Sequence, residues 1–361
     1  MSNSQEIKLV LEDGTVFIGK SFGYNKSVSG EVVFNTAMTG YTESLTDPSY
    51  KGQILVSTYP LIGNYGVPSD EMENGMHRFY ESDRVQVSAY IVSDYSFEHS
   101  HWNAKKSLQD WLIENEVPGI YGIDTRALTK ILREKGTMLG KIIYADQDVP
   151  YFNPGAVNVV AEVSCKEKIV YGNGKHKIML VDTGVKNNII RCFLKRDTTV
   201  IRVPWNYDYT NEEYDGLFLS NGPGDPKQCK ETIEILTKAI KRDTPIFGIC
   251  LGNLLLGLAC GGDTYKLKYG HRSHNQPAVQ VGTDRCVITS QNHGYTVDLK
   301  TLGDGWEALF INNNDDTCEG LRHKTSPFFS TQFHPEASSG PTDTEYLFDD
   351  FIALIEKSKK K

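Results

Sequence analysis

The chain has 361 residues, 39% of them hydrophobic and 23% charged, with a formal net charge of -8. That length predicts two or three domains, each with enough apolar material for a core. The acidic balance excludes a general nucleic-acid binder, which needs a basic face, while leaving room for small anions bound by backbone N–H groups. In chain order, IKLVLEDGTVFIGKSFG (Ile7–Gly23) reads as two strands around an Asp13-Gly14 turn. GEVVFNTAMTGYTESLTDPSY follows, then the strand-like QILVSTYPLIGNYG and VQVSAYIVSDYS. WNAKKSLQDWLIENEV and TRALTKILREKG carry helical apolar spacing, the second with a stop at Gly136. The first 150 residues therefore read as a mixed α+β domain. Residues 151–175 are less regular and rich in turn dipeptides, and read as a linker.

From His176 the pattern changes. KIMLVD, TTVIRVPW, DGLFLS and TPIFGI are strands that alternate with the helical VKNNIIRCFLKRD, KETIEILTKAIKRD and LGNLLLGLACGG. Strands alternating with helices predict a doubly wound, mainly parallel sheet over residues 176–361. Its functional residues are expected just beyond the carboxyl ends of the strands. The remainder adds CVITSQNHGYTVDL, PFFSTQFHPEA and a closing helix ending in KSKKK, where lysines complement the helix dipole. The seven cysteines are scattered without a CxxC pair. That is the usage of reduced thiols in a cytoplasmic protein. MSNSQEIKLVLEDG has no apolar signal core, and the uncharged run Pro245–Gly262 carries a proline and five glycines. A membrane location is therefore not expected.

Three stretches carry chemistry. In TPIFGICLGN, Cys250 falls between a strand and a helix, with Gly248 and Gly252 two residues to either side. Small residues at those positions fit a tight nucleophile elbow, and a helix N-terminus favours the thiolate. The alternative is a buried structural cysteine, the reading kept for Cys260. A thiolate needs a base that is itself oriented. STQFHPEASSG offers His334 with Glu336 two residues on, and His293 in QNHGYTV competes as the base. His99, His101, His271 and His274 read as polar-loop residues with no nucleophile-like neighbour. In LFLSNGPGDP, Gly222 and Gly224 follow a strand, where backbone N–H groups can approach an oxyanion; an ordinary tight turn is the alternative. No GK[ST] loop, GxGxxG, HExxH or metal-ligand spacing occurs, and no metal is expected.

LSNGPGDP, FGICLGN and QFHPE, in this order, resemble the three signatures of the class I (triad) glutamine amidotransferases. GEVVFNTAMTGYTESLTDPSYKGQI, YGIDTRALTKILREKG and TSQNHGYTVD resemble the small, glutamine-hydrolysing subunit of carbamoyl phosphate synthase, from about Lys8 to Ile355. The resemblance implies a catalytic Cys250, His334 and Glu336. It implies an oxyanion site of the Leu251 N–H and the Gly222–Gly224 loop, and glutamine contacts at Ser49, Asn292, Gly294 and Tyr295. Ammonia would pass to a large synthetase subunit in a heterodimer and react there with carboxyphosphate. ATP, Mg2+ and bicarbonate are expected on that partner, with no cofactor on this chain. The product, carbamoyl phosphate, would feed pyrimidine and arginine synthesis. One departure stands out. The family's LGHQ is LGNL here, so Asn253 replaces a His and Leu254 replaces a substrate-contacting Gln. A GNL sequence also resembles the ammonia-dependent animal enzymes, which have lost the cysteine that this chain keeps. A non-catalytic scaffold subunit and an amidotransferase for another synthase are the rival readings.

Overall fold

The computed structural model describes residues 5–360. The chain divides into two compact units, Met1–Ala156 and Val157–Lys361.

The first unit is built on a closed barrel. Asp13-Gly14 turns the chain as the sequence predicts: Gly14 takes φ 86°, and Asp13 Oδ1 accepts the Thr15 N–H at 2.9 Å. This joins strands Glu6–Leu11 and Val16–Ser21 as an antiparallel pair. Around the barrel the order is Glu6–Leu11, Met138–Tyr144, Val28–Asn35, Gln53–Ser57, Ala89–Ile91, Gly119–Tyr121 and Val16–Ser21, which returns to the first. Three neighbouring pairs in the middle of that order are parallel. Two helices match the helical spacing. Leu108–Glu114 starts at Ser107, whose side chain accepts the Asp110 N–H, so the helix is shorter than its apolar pattern suggests. Thr125–Lys135 is capped by Asp124 and ends at Gly136 with φ 102°. Tyr41, Tyr50, Leu55, Tyr90 and Trp111 are buried in its core.

The second unit is one ten-stranded sheet. Its order is Ile169–Tyr171, Thr198–Pro204, His176–Asp182, Gly216–Leu219, Ile246–Ile249, Phe328–Thr331, Cys318–His323, Trp306–Asn312, Asp263–Gln280 and Cys286–Asp298. Five strands, from Thr198–Pro204 to Phe328–Thr331, run parallel, and antiparallel strands extend both margins. Helices cover both faces, which explains the unbroken apolar runs of the central strands. On Gly216–Leu219, Phe218 points to Phe348 of the closing helix Tyr346–Ser358. Leu217 and Leu219 point the other way, into a core with Leu251, Leu254, Leu255 and Leu256.

Two expectations are corrected. Residues 157–175 are not linker but part of the second unit, with a helix at Val160–Val163 and an edge strand at Ile169–Tyr171. They are tied down where Asp182 Oδ2 accepts the Cys165 N–H at 2.7 Å and pairs with Arg202 at 2.6 Å. His271 and His274 lie not in loops but on the strand Asp263–Gln280, paired with Cys286–Asp298 through two register shifts. The run Pro245–Gly262 resolves into strand Ile246–Ile249 and helix Leu251–Ala259, and no described helix is long and apolar enough to cross a membrane.

Candidate active site

The elbow forms because two glycines let backbone approach backbone. A Cβ on Gly248 would lie 2.7 Å from the Gly252 carbonyl, and one on Gly252 would lie 2.2 Å from the Leu219 carbonyl. Between them Cys250 takes φ 54° and ψ -101° as the N-cap residue of Leu251–Ala259. Such a conformation costs a non-glycine residue about 1–3 kcal/mol and is tolerated where the surroundings over-determine it. Here the Cys250 N–H donates to the Thr331 carbonyl at 2.8 Å. Gly252→Ala is expected to destabilise the second unit by about 3 kcal/mol, at the upper end of overpacking effects because the obstacle is main chain. A thermal melt of the variant checks this; an unchanged midpoint would mean the elbow is looser than its geometry.

The FHPE segment brings its histidine to the thiol. His334 Nδ1 lies 2.7 Å from Glu336 Oε1, so Nδ1 is the protonated nitrogen and donates. Among the described residues, His334 Nε2 has no hydrogen-bond partner, and it is the nitrogen left for Cys250. Burial opposes the imidazolium, but Glu336 and the neighbouring Cys250 outweigh it and raise the ring to about 10. Burial likewise works against the Glu336 carboxylate, and Lys186 with His334 outweighs it, holding the group at about 2. Lys186 Nζ sits 3.1 Å from Glu336 Oε1 and donates to the Ala337 carbonyl at 2.6 Å. Asn188 Nδ2 donates to the Glu336 carbonyl at 2.5 Å. The result is a thiol, an imidazole, a carboxylate and an ammonium in sequence, all buried.

One strand positions the thiol and the imidazole together. The Cys250 Sγ lies 3.7 Å from the Asn292 carbonyl, and the His334 N–H donates to the Ser290 carbonyl at 2.9 Å. Gly222 packs against Leu251: a Cβ there would lie 2.8 Å from Leu251 Cδ2 and 2.0 Å from the Thr183 carbonyl. Gly224 takes φ 82°, a glycine conformation. Cys250, His334, Glu336, Leu251, Gly222 and Asn292 therefore come together at the carboxyl ends of the parallel strands. Gly294 and Tyr295 follow on the same strand as Asn292, and Gly294 leaves room for Arg272, whose Nη2 lies 3.2 Å from where a Cβ would be. Ser49 belongs to the first unit, buried in the turn Pro48–Tyr50 with its N–H on Asp47 Oδ1 at 2.8 Å.

His293, the competing base, turns Nδ1 to the Tyr295 carbonyl at 2.9 Å and Nε2 to Gln291 Oε1 at 3.0 Å and Glu319 Oε1 at 4.0 Å, whereas His334 Nε2 has no partner among the described residues. Asn253 and Leu254 separate as well. Asn253 donates to Gln332 Oε1 at 2.7 Å and accepts from Ser330 at 2.8 Å, a buried brace between the elbow helix and the His334 segment. Leu254 is buried in the apolar core. Sequence reasoning missed Lys186. A lone lysine before a helix reads as solvent-facing, and only the fold brings Glu336 to it.

Residues 9–142 match the family model described as carbamoyl-phosphate synthase small chain, CPSase domain, and residues 179–354 match that of the class-I glutamine amidotransferases. The chain is 50% identical over 361 residues to the mitochondrial carbamoyl-phosphate synthase (ammonia) of Rattus norvegicus, covering 99% of this chain and 24% of that protein. It is 47% identical over 390 residues to the multifunctional protein URA2 of Saccharomyces cerevisiae, covering 98% of this chain and 18% of that protein. Against the multifunctional protein CAD of Squalus acanthias the identity is 51% over 351 residues, covering 95% of this chain and 16% of that protein. The chain thus spans about a quarter or less of the length of these relatives. One unit thus matches each model, so the chain joins a carbamoyl-phosphate synthase small-chain domain to a class-I glutamine amidotransferase domain.

Proposed function

We propose that this chain hydrolyses glutamine and supplies the ammonia to a carbamoyl phosphate-forming synthetase. The observation that carries this is the buried series Cys250, His334, Glu336 and Lys186 at a strand-to-helix elbow. The Cys250 thiolate attacks the side-chain amide carbon of glutamine. The oxyanion is held by the Leu251 N–H and the Gly222–Gly224 loop. His334 gives its proton to the departing nitrogen, the C–N bond breaks, and ammonia leaves a γ-glutamyl thioester. His334 then takes a proton from water, which attacks the thioester and releases glutamate and the thiolate. Glu336 orients the imidazole, and Lys186 keeps Glu336 ionised. Asn292, Gly294 and Tyr295 are the glutamine contacts in this reading. ATP, Mg2+ and bicarbonate act on the synthetase part, which the longer relatives carry in the same polypeptide. The compartment is the cytoplasm in this reading, and the product serves pyrimidine and arginine synthesis.

Leu254 favours a second reading, in which ammonia is the working nitrogen donor. It places a core leucine where the family keeps a polar substrate contact. Losing one such contact costs on the order of 1 kcal/mol, a few-fold to tenfold in binding, and leaves the nucleophile intact. The deciding experiment compares glutamine and ammonia as donors for the chain assembled with its synthetase part. Glutamine-supported synthesis is expected, with Leu254→Gln lowering the KM for glutamine by up to about tenfold at similar kcat. Synthesis from ammonia alone would sink the glutaminase reading.

A further inference from the structure

Three residues far apart in sequence meet behind the candidate active site. His271 and His293 face each other across the antiparallel pair Asp263–Gln280 and Cys286–Asp298, and Glu319 comes from the strand Cys318–His323. One ligand atom from each lies within 4.8 Å of the others. His271 Nδ1 is 3.3 Å from Glu319 Oε1, and His293 Nε2 is 4.0 Å from the same oxygen. The three residues are 8%, 5% and 0% exposed, so the site is closed to solvent.

The hydrogen bonds around the cluster fix which atoms point inward. His271 Nε2 lies 2.9 Å from Asp315 Oδ2, and His293 Nδ1 lies 2.9 Å from the Tyr295 carbonyl. A ring nitrogen facing a carboxylate or carbonyl oxygen is the protonated donor. In neutral rings, His271 Nδ1 and His293 Nε2 then turn lone pairs toward Glu319. Gln291 adds another acceptor. The Thr289 hydroxyl donates to the Gln276 carbonyl at 2.8 Å, so Gln291 must turn its NH2 to Thr289 at 3.0 Å. Its Oε1 is thereby aimed at His293 Nε2. Asn312 Nδ2 is a donor into the cluster, at 2.9 Å from Glu319 Oε1 and 3.5 Å from His271 Nδ1. Among the described residues, the buried Glu319 Oε2 has no partner. A closed pocket of converging acceptors is costly unless a cation or a proton sits among them.

We propose that His271, His293 and Glu319 bind a zinc-type divalent cation, with Gln291 Oε1 as the fourth donor. Two imidazoles and a carboxylate suit zinc and its transition-metal neighbours rather than Mg2+ or Ca2+, which take oxygen ligands. Both histidines already have the outer partners that orient metal-bound imidazoles, a carboxylate on one and a backbone carbonyl on the other. Tetrahedral bonds of about 2.0–2.2 Å set ligand atoms about 3.3–3.6 Å apart; the 3.3 Å spacing of His271 and Glu319 already fits, and His293 must move in from 4.0 Å. Without the metal, a proton on His271 Nδ1 fills the gap to Glu319, and the metal displaces it. A four-donor set sealed from solvent makes this a structural site. Its strand carries Ser290 and Asn292, whose carbonyls meet the His334 N–H and the Cys250 thiol. That consequence rests on the glutaminase reading; the binding itself does not.

The test uses the full chain with Cys250→Ala, which removes the catalytic thiol as a competing ligand, stripped of metal by a chelator. Titration with Co2+ in the absence of glutamine is expected to bind one ion per chain. The spectrum should show the visible bands of a tetrahedral ion without a thiolate-to-metal charge-transfer band. Zn2+ should displace the Co2+ and raise the melting temperature. His271→Ala and Glu319→Gln should each weaken binding at least a hundredfold, and Asp315→Asn, which leaves the ligands in place, by about 10–100-fold. No stoichiometric binding, a thiolate band, or undiminished binding in His271→Ala and Asp315→Asn would each overturn the proposal. Loss of glutamine hydrolysis would not bear on it, because no step of the test uses glutamine.

Discussion

Replacing Cys250 by alanine is expected to lower glutamine hydrolysis by about four to six orders of magnitude, the scale seen when a covalent nucleophile is removed. The effect should be chemical rather than structural. Alanine keeps the Cβ and therefore the same backbone at φ 54°, and the Cys250 N–H remains on the Thr331 carbonyl. What is lost is the sulfur, with its 3.7 Å approach to the Asn292 carbonyl and its interaction with His334. Glutamate release from labelled glutamine measures the loss, and a melt of the same sample shows whether the fold is kept. A variant that retained hydrolysis within tenfold of the parent would remove Cys250 from the mechanism. In the assembled enzyme, ammonia-supported synthesis should survive the substitution.

The second large effect belongs to Lys186. Lys186→Met strands the buried Glu336 carboxylate, and breaking a buried pair in this way costs about 3–5 kcal/mol. The sign of the pH dependence follows from the carboxylate. In the parent chain Glu336 is held at about 2 against the opposing effect of burial. Its contribution to stability is present above the ordinary carboxylate value of about 4.3 and disappears as the pH falls through the folded value. Without Lys186 the burial effect gains ground and the carboxyl titrates higher. Below that new value His334 faces a neutral acid instead of an anion. The acid limb of the pH–rate profile should therefore move upward, with activity partly recovered at higher pH. Lys186→Met with Glu336→Gln should regain most of the stability and none of the activity. If the single variant kept the parent's pH profile, Lys186 would be a packing residue only.

The site was legible wherever its chemistry lies close together in sequence. Gly248, Cys250 and Gly252 span five residues, and the two glycines are needed because main chain lies against main chain at both positions. His334 and Glu336 are two apart, and their hydrogen bond closes within the FHPE turn. Contacts over longer separations left no such trace. Lys186 meets Glu336 across 150 residues, and the choice between His293 and His334 depended on which ring nitrogens were already engaged. The barrel escaped notice for a different reason. Its strands Ala89–Ile91 and Gly119–Tyr121 have three residues each, too few to show a two-residue alternation. The strand Asp263–Gln280 was hidden by its own irregularity. Gly270 takes φ 71°, and the register shifts between Lys266 and His271 and between Ser273 and Gln276 put successive stretches out of phase.

Closure of the first unit's barrel also restricts how anything can hold on to it. An open sheet offers a border of unused N–H and C=O groups to which another chain can add a strand. Here Val16–Ser21 returns to Glu6–Leu11, so the ring has no such border. Recognition of the barrel must then be read from side chains, among them the outward Val16 and Ile18, which are 49% and 57% exposed. Substitutions at those two positions, rather than changes to main-chain pairing, are the ones able to tune an association there.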